Sequence, residues 1–210
     1  MNGVGVDWRI VAQAAAALVL LAVLIRLTRP LQASEGRGPA QVVTEVGVTV
    51  ALAAVLSIIR VFRMPQGGSI SLEMVPIFYV ALRRGAGTGV LAGLVLGMVK
   101  LVLEPYVVHP LQFLMDYPLA FAALGLAGLF PRLPLVGVVV GGAGRFLMHL
   151  LSGVIFFASY APEGSNVWAY SATYNATYMV PEVAIAMIVM VFLGVGFARG
   201  GRRRVSSHRI

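Results

Sequence analysis

The sequence predicts an all-α integral membrane protein, and three observations carry that reading. Apolar residues make up 59% of the 210 residues and charged residues 11%, with a mean hydropathy of +0.90. That is too little charge to cover a soluble domain of this size. The apolar residues come in near-continuous runs suited to helices spanning about 30 Å of hydrocarbon, not in the ten-residue alternating strands of a barrel. The basic residues sit at the ends of those runs. The net charge of +8 therefore sets topology and does not call for nucleic acid. Cysteine is absent, which excludes disulfides, thiolate metal sites and a cysteine nucleophile.

Taken in order, residues 8–28 are long enough to span and end at Arg26, with Arg29 just beyond. A signal peptide would carry its positive charge before the apolar run, and no A-x-A site follows. The segment therefore reads as an uncleaved anchor helix, and with its polar linker it makes up residues 1–40. A helix over 41–62 carries Gly47, Ala51 and Ala54 at helical spacing. That small-residue face suits close approach of another helix, within this chain or on a partner. Pro65 and the Gly67-Gly68 pair then enforce a loop. Residues 71–82 form a short apolar segment, barely long enough to cross, closed by Arg83-Arg84-Gly85.

A span over 86–103 follows, with Gly87, Gly89, Gly93 and Gly97 as packing positions. The next, over 109–130, holds Gln112 and Asp116 on one helix face. Residues 131–134 are a turn between prolines. Spans over 136–157 and 171–197 precede a basic tail, 199–210. The count is seven crossings: an extra N-terminal helix and a six-helix body over 41–198. Arg26, Arg29, Arg37, Arg83, Arg84, Arg132, Arg199 and Arg202–Arg204 fall on one side. The positive-inside rule makes that side cytoplasmic. The C-terminus is then cytoplasmic, the N-terminus outside, and loops 63–70, 104–109 and 159–170 external.

The chemistry concentrates in 144–182. Arg145, His149, Gly153 and Phe157 recur at intervals of four and share a helix face. Gly153 would leave space beside the imidazole for a flat ring. Ser171, Asn175, Tyr178 and Glu182 form a second stripe, with Tyr170 at its outer end, and Tyr106 and Tyr117 add an aromatic wall. An Asp or Arg at mid-membrane costs about 2.5–3.5 kcal/mol on insertion scales, so Asp116 and Arg145 should face a cavity or each other. Mutual neutralisation would explain those two and leave the aromatics unaccounted for. Some rings serve as interfacial anchors, Trp168 foremost. A carboxylate, an imidazole, an amide and several aromatic faces suit a planar, hydrogen-bonding, cationic ligand.

The motifs MPQGGSISLEMVPI (64–77), ALRRG (81–85), HPLQFLMDYPLAF (109–121), GVIFFASYAPEG (153–164) and YSATYNATYMVP (170–181) resemble the thiamine-specific S components of energy-coupling factor (ECF) transporters, the ThiT family. The resemblance runs over residues 41–198. It implies a six-helix S-component bundle, here preceded by the extra N-terminal transmembrane helix, that captures thiamine from outside at a prokaryotic cell membrane. It also implies partners: a transmembrane coupling subunit and two ATPase subunits that drive uptake. Carried over residue by residue, the substrate-binding positions are Tyr106, Asp116, Tyr117, Arg145, His149, Gly153, Phe157, Tyr170 and Asn175. The family often has Glu where Asp116 stands, one methylene longer, and some members have Trp where Phe157 stands.

Neither a cofactor, a metal nor a catalytic residue is expected. The chain has one lysine, Lys100, and no GxxxxGK(S/T), so ATP would be used by partner subunits. An S component for a thiamine precursor or a related vitamin is the alternative. An intramembrane hydrolase built on Ser152, His149 and Asp116 is a weaker one, because Ser152 lacks a GxSG context.

Overall fold

The computed structural model describes residues 38–194. The anchor helix predicted over 8–28, most of its linker and the basic tail lie outside the described residues. What is described is mostly helical. The elements are α1 (Pro39–Ile58), a two-stranded hairpin of β1 (Phe62–Arg63) and β2 (Ser69–Ile70), and α2 (Met74–Arg84). They continue with α3 (Ala86–Leu103), α4 (Pro110–Leu129), α5 (Pro134–Phe156) and α6 (Val167–Phe192). Five of these helices are long and apolar enough to cross a membrane: α1, α3, α4, α5 and α6.

Three boundaries differ from the sequence reading. The helix expected over 41–62 stops at Ile58, where Ile59 turns extended. Arg60 Nε donates to the Ser57 carbonyl at 2.8 Å, satisfying one of the helix's last acceptors. The apolar run continues past this stop into the antiparallel hairpin, with Phe62 opposite Ile70 and Arg63 opposite Ser69. The segment expected to cross over 71–82 yields an 11-residue helix, about 16 Å long and half the hydrocarbon thickness. Met74, Ile77 and Phe78 are buried within the bundle, where irregular backbone leading into a short helix is shielded from lipid. The last helix begins at Val167, four residues earlier than expected, because Asn166 Oδ1 accepts from Trp168 N (2.9 Å) and Ala169 N (3.2 Å). That is an N-cap.

Helix α4 sets the site. It begins at Pro110, widens to a π-helical turn over Met115–Leu119 and tightens over Gly125–Leu129. Pro118 has no N–H to give the α-helical ladder, and the wide turn accommodates it. Asp116 and Tyr117 lie within that turn. Helix α3 packs on α4 backbone to backbone. A side chain at Gly97 would lie 2.6 Å from the Tyr117 carbonyl carbon, and one at Gly93 would overlap the Phe121 carbonyl oxygen. The glycines expected to serve packing do so here, and this contact fixes the depth of Asp116 and Tyr117. By contrast, Gly47 and Ala51 on α1 point away from the rest of the described chain.

Candidate functional site

The turn carrying Arg84–Gly85 meets the end of α4, where a side chain on Gly128 would overlap Ala86 N. At the opposite end, the 62–70 hairpin, the 104–109 loop and the 157–166 connection surround a cavity of about 510 Å³. That size lies within the range of small-molecule sites. All nine predicted positions line it: Tyr106, Asp116, Tyr117, Arg145, His149, Gly153, Phe157, Tyr170 and Asn175.

Asp116 is held on both carboxylate oxygens. Its Oδ2 accepts from Gln112 Nε2 (2.8 Å) and Ser152 Oγ (2.9 Å), and its Oδ1 meets His149 Nδ1 at 3.1 Å. Arg145 Nε points at the other imidazole nitrogen, Nε2, from 3.4 Å. A guanidinium only donates, so this contact assigns the acceptor role to Nε2 and the N–H to Nδ1, facing the carboxylate. The imidazole also meets the Tyr178 ring edge-on, with centroids 6.2 Å apart.

Mutual neutralisation of Asp116 and Arg145 is not what the structure has. Arg145 Nη2 donates to Glu73 Oε1 at 3.1 Å, and Nη1 lies 3.7 Å from Glu182 Oε2, beyond hydrogen-bond length. Its guanidinium carbon sits 4.2 Å over the Phe121 ring. Glu73 Oε2 in turn meets Lys100 Nζ at 3.0 Å. Lys100 and Arg60 both reach Glu104 Oε1, each at 2.6 Å. Glu182 Oε1 accepts from Ser71 Oγ at 2.9 Å. A chain of paired charges thus runs from the buried side of the cavity to its mouth. Buried charges persist in a bundle interior when paired in this way.

The aromatic groups close the mouth. Tyr117 Oη accepts from Tyr106 N (2.9 Å) and donates to the Glu104 carbonyl (2.7 Å). The Tyr106 and Phe157 rings stack with centroids 6.0 Å apart and planes at 17°. Tyr106 and Tyr160 share a hydroxyl contact at 3.3 Å. That contact, with partial desolvation, pushes the Tyr106 hydroxyl up to about 12. Tyr174 Oη accepts from Gln66 N at 2.9 Å and donates to the Gly67 carbonyl at 3.0 Å, pinning the hairpin against α6. Gly67 and Gly68 have φ of 94° and 90°, a region other residues rarely adopt.

One expectation about shape fails. Gly153 lines the cavity, but the direction its side chain would take is filled by Ser171 Oγ, with Asn175 Nδ2 3.6 Å away. The glycine lets α5 and α6 close on each other, and does not open a slot beside the imidazole. Asn175 spends its amide in the same seam, donating to the Ser171 carbonyl at 2.9 Å and accepting from Tyr178 Oη at 2.9 Å. The hydrolase arrangement is absent too. Ser152 Oγ donates to Asp116 directly, so no serine–imidazole bond exists for a base to act through. Among the described residues, no group of three or more His, Asp or Glu side chains is placed to hold a metal.

Comparison with known proteins decides the family. The sequence model described as thiamine transporter protein (Thia_YuaJ) matches residues 43–199. This chain belongs to the thiamine transporter family. It is 40% identical to the thiamine transporter ThiT of Bacillus subtilis over 168 residues, covering 71% of this chain and 88% of that relative. It is 28% identical to ThiT of Lacticaseibacillus paracasei over 169 residues, covering 71% and 84% of the two. A solved structure of ThiT from Listeria monocytogenes superposes with a TM-score of 0.68 at 27% identity, over 73% of this chain and 93% of that one. The family resemblance stated from motifs is thereby confirmed. The chain is a multi-pass membrane protein of a transporter family, not an enzyme family.

Sequence reasoning missed the roles of Glu73, Lys100, Tyr174 and Gln112. Lys100 was conspicuous as the single lysine, and its burial near the end of an apolar run was the available signal. Glu73 offered none, because it stands beside a loop and its partners are remote in sequence.

Proposed function

We propose that this chain is the substrate-binding S component of an ECF-type transporter and captures thiamine from outside the cell. Thiamine joins a ring with a fixed positive charge to an amino-substituted, hydrogen-bonding ring. The observation that carries the reading is the placement of the Asp116 carboxylate, 14% exposed at its side chain, in a cavity walled by Tyr106, Tyr117, Phe157 and Tyr170. A carboxylate supplies the counter-charge. Aromatic faces add about 0.5–2 kcal/mol for a cation over a ring. Arg145 acts mainly by orienting His149, and Gly153 and Asn175 by setting the α5–α6 seam behind the ligand.

We propose a six-helix body, with α2 counted; the further N-terminal transmembrane helix expected from the sequence lies outside the described residues. Arg83, Arg84 and Arg132 lie at the end away from the cavity mouth, which favours a cytoplasmic C-terminus and an outward-facing mouth at a prokaryotic cell membrane. A transmembrane coupling subunit and two ATPase subunits supply the energy. Thiamine is cargo, and no cofactor is required.

The test is a fluorescence titration of the detergent-purified chain with thiamine. A saturable response below micromolar thiamine supports the proposal. No response, with tight binding of a thiamine precursor or another vitamin, overturns it.

A further inference from the structure

Gln112 is 1% exposed and lies between the Asp116 carboxylate and the 104–109 loop. Three of its amide's four hydrogen-bonding positions are taken. Nε2 donates to Asp116 Oδ2 at 2.8 Å and to the Tyr106 carbonyl at 3.1 Å, while Oε1 accepts from Val108 N at 3.0 Å. Reversing the amide would set its oxygen against a carbonyl and a carboxylate, and its nitrogen against an N–H. Only one orientation satisfies the three partners. The side chain therefore joins two parts of the site that the sequence separates: the carboxylate on α4 and the loop that carries the Tyr106 ring.

The carboxylate geometry gives this link a consequence. A carboxylate offers about four acceptor positions, two on each oxygen. Gln112 and Ser152 occupy both on Oδ2, and His149 occupies one on Oδ1. The remaining position is on Oδ1. We propose that Gln112 is a positioning residue that, with Ser152, locks Oδ2 and so presents Oδ1 to the ligand, setting the preference for a cationic over an uncharged ligand. The proposal rests on the thiamine reading. Gln112 touches the carboxylate and the loop, and acts on the ligand through them.

The experiment measures dissociation constants of thiamine and of its uncharged aminopyrimidine alcohol for the full chain and for Gln112→Leu and Ser152→Ala. Losing a hydrogen bond to a charged group corresponds to about 10- to 100-fold in affinity. Gln112→Leu should weaken thiamine by about that factor and the alcohol clearly less, so the preference falls about tenfold or more. Ser152→Ala leaves the 104–109 loop tied and should lower the preference by itself, which keeps the test intact where Gln112→Leu does not fold. In an Asp116→Asn background, neither change should move the preference.

Equal losses for both ligands in Gln112→Leu make it a structural strut and overturn the proposal, as does an unchanged preference in Ser152→Ala. A parent chain that binds no thiamine removes the functional reading and this proposal with it. A parent that binds while the variants keep its preference removes this proposal alone.

Discussion

Glu73 is the side chain whose loss should be felt most widely. It is 2% exposed and lies 3.1 Å from Arg145 Nη2 and 3.0 Å from Lys100 Nζ. Glu73→Gln keeps the shape and removes the charge. Lys100 retains Glu104, but Arg145 is left with Glu182 at 3.7 Å as its nearest anion. Removing one partner of a buried pair costs about 3–5 kcal/mol when the other charge stays buried without compensation, and Glu182 compensates Arg145 only in part. The amide can still accept one hydrogen bond, so the low end, about 3 kcal/mol, is expected.

The control is Glu45→Gln. It breaks the Arg84–Glu45 contact at 3.0 Å, where the arginine side chain is 44% exposed, and should cost less than about 1 kcal/mol. Reversible unfolding of the ligand-free protein in detergent reads both. A double-mutant cycle with Lys100→Met should show coupling of about 1 kcal/mol or more. Equal effects of Glu73→Gln and Glu45→Gln, or a cycle that closes to zero, would refute the view that the buried charges hold one another.

Three further outcomes follow from the mouth of the cavity. Phe157→Trp should tighten thiamine several-fold, consistent with about 0.5–1.5 kcal/mol for an aromatic pair; unchanged or weaker binding by calorimetry would mean the ring does not face the ligand. Tyr174→Phe removes both contacts to the hairpin, each worth about 0.5–1.5 kcal/mol, so amide exchange over 62–70 should speed up while α3 and α4 stay protected. The Tyr106 hydroxyl, raised from 10.0 to about 12, stays protonated where a free phenol ionises. Its contribution to stability is present below pH 10 and lost as pH rises toward 12. A phenolate difference titration against Tyr106→Phe should place it near 12, and a midpoint near 10 would contradict the contact with Tyr160.

The sequence carried much of this site because helical periodicity exposes same-face neighbours. Arg145 and His149 share a face of α5 and do line the cavity, and Asp116 stood out as a carboxylate inside an apolar run. What periodicity could not convey was pairing between elements. Glu73 meets Lys100 and Arg145 from positions remote in the chain. The apolar run past Ile58 looks helical but is turned by the Arg60 contact and the hairpin. The spacing of Gly153 spoke for an open face, and only the approach of Ser171 from α6 shows that the face is filled.

The measurement closest to the central claim compares Asp116→Asn with the parent chain by calorimetry, using thiamine and its uncharged aminopyrimidine alcohol. The substitution removes the counter-charge while keeping the side chain's size. Affinity for thiamine should fall by at least about tenfold more than affinity for the alcohol. Equal losses for the two ligands would contradict a cavity organised around the charge of Asp116.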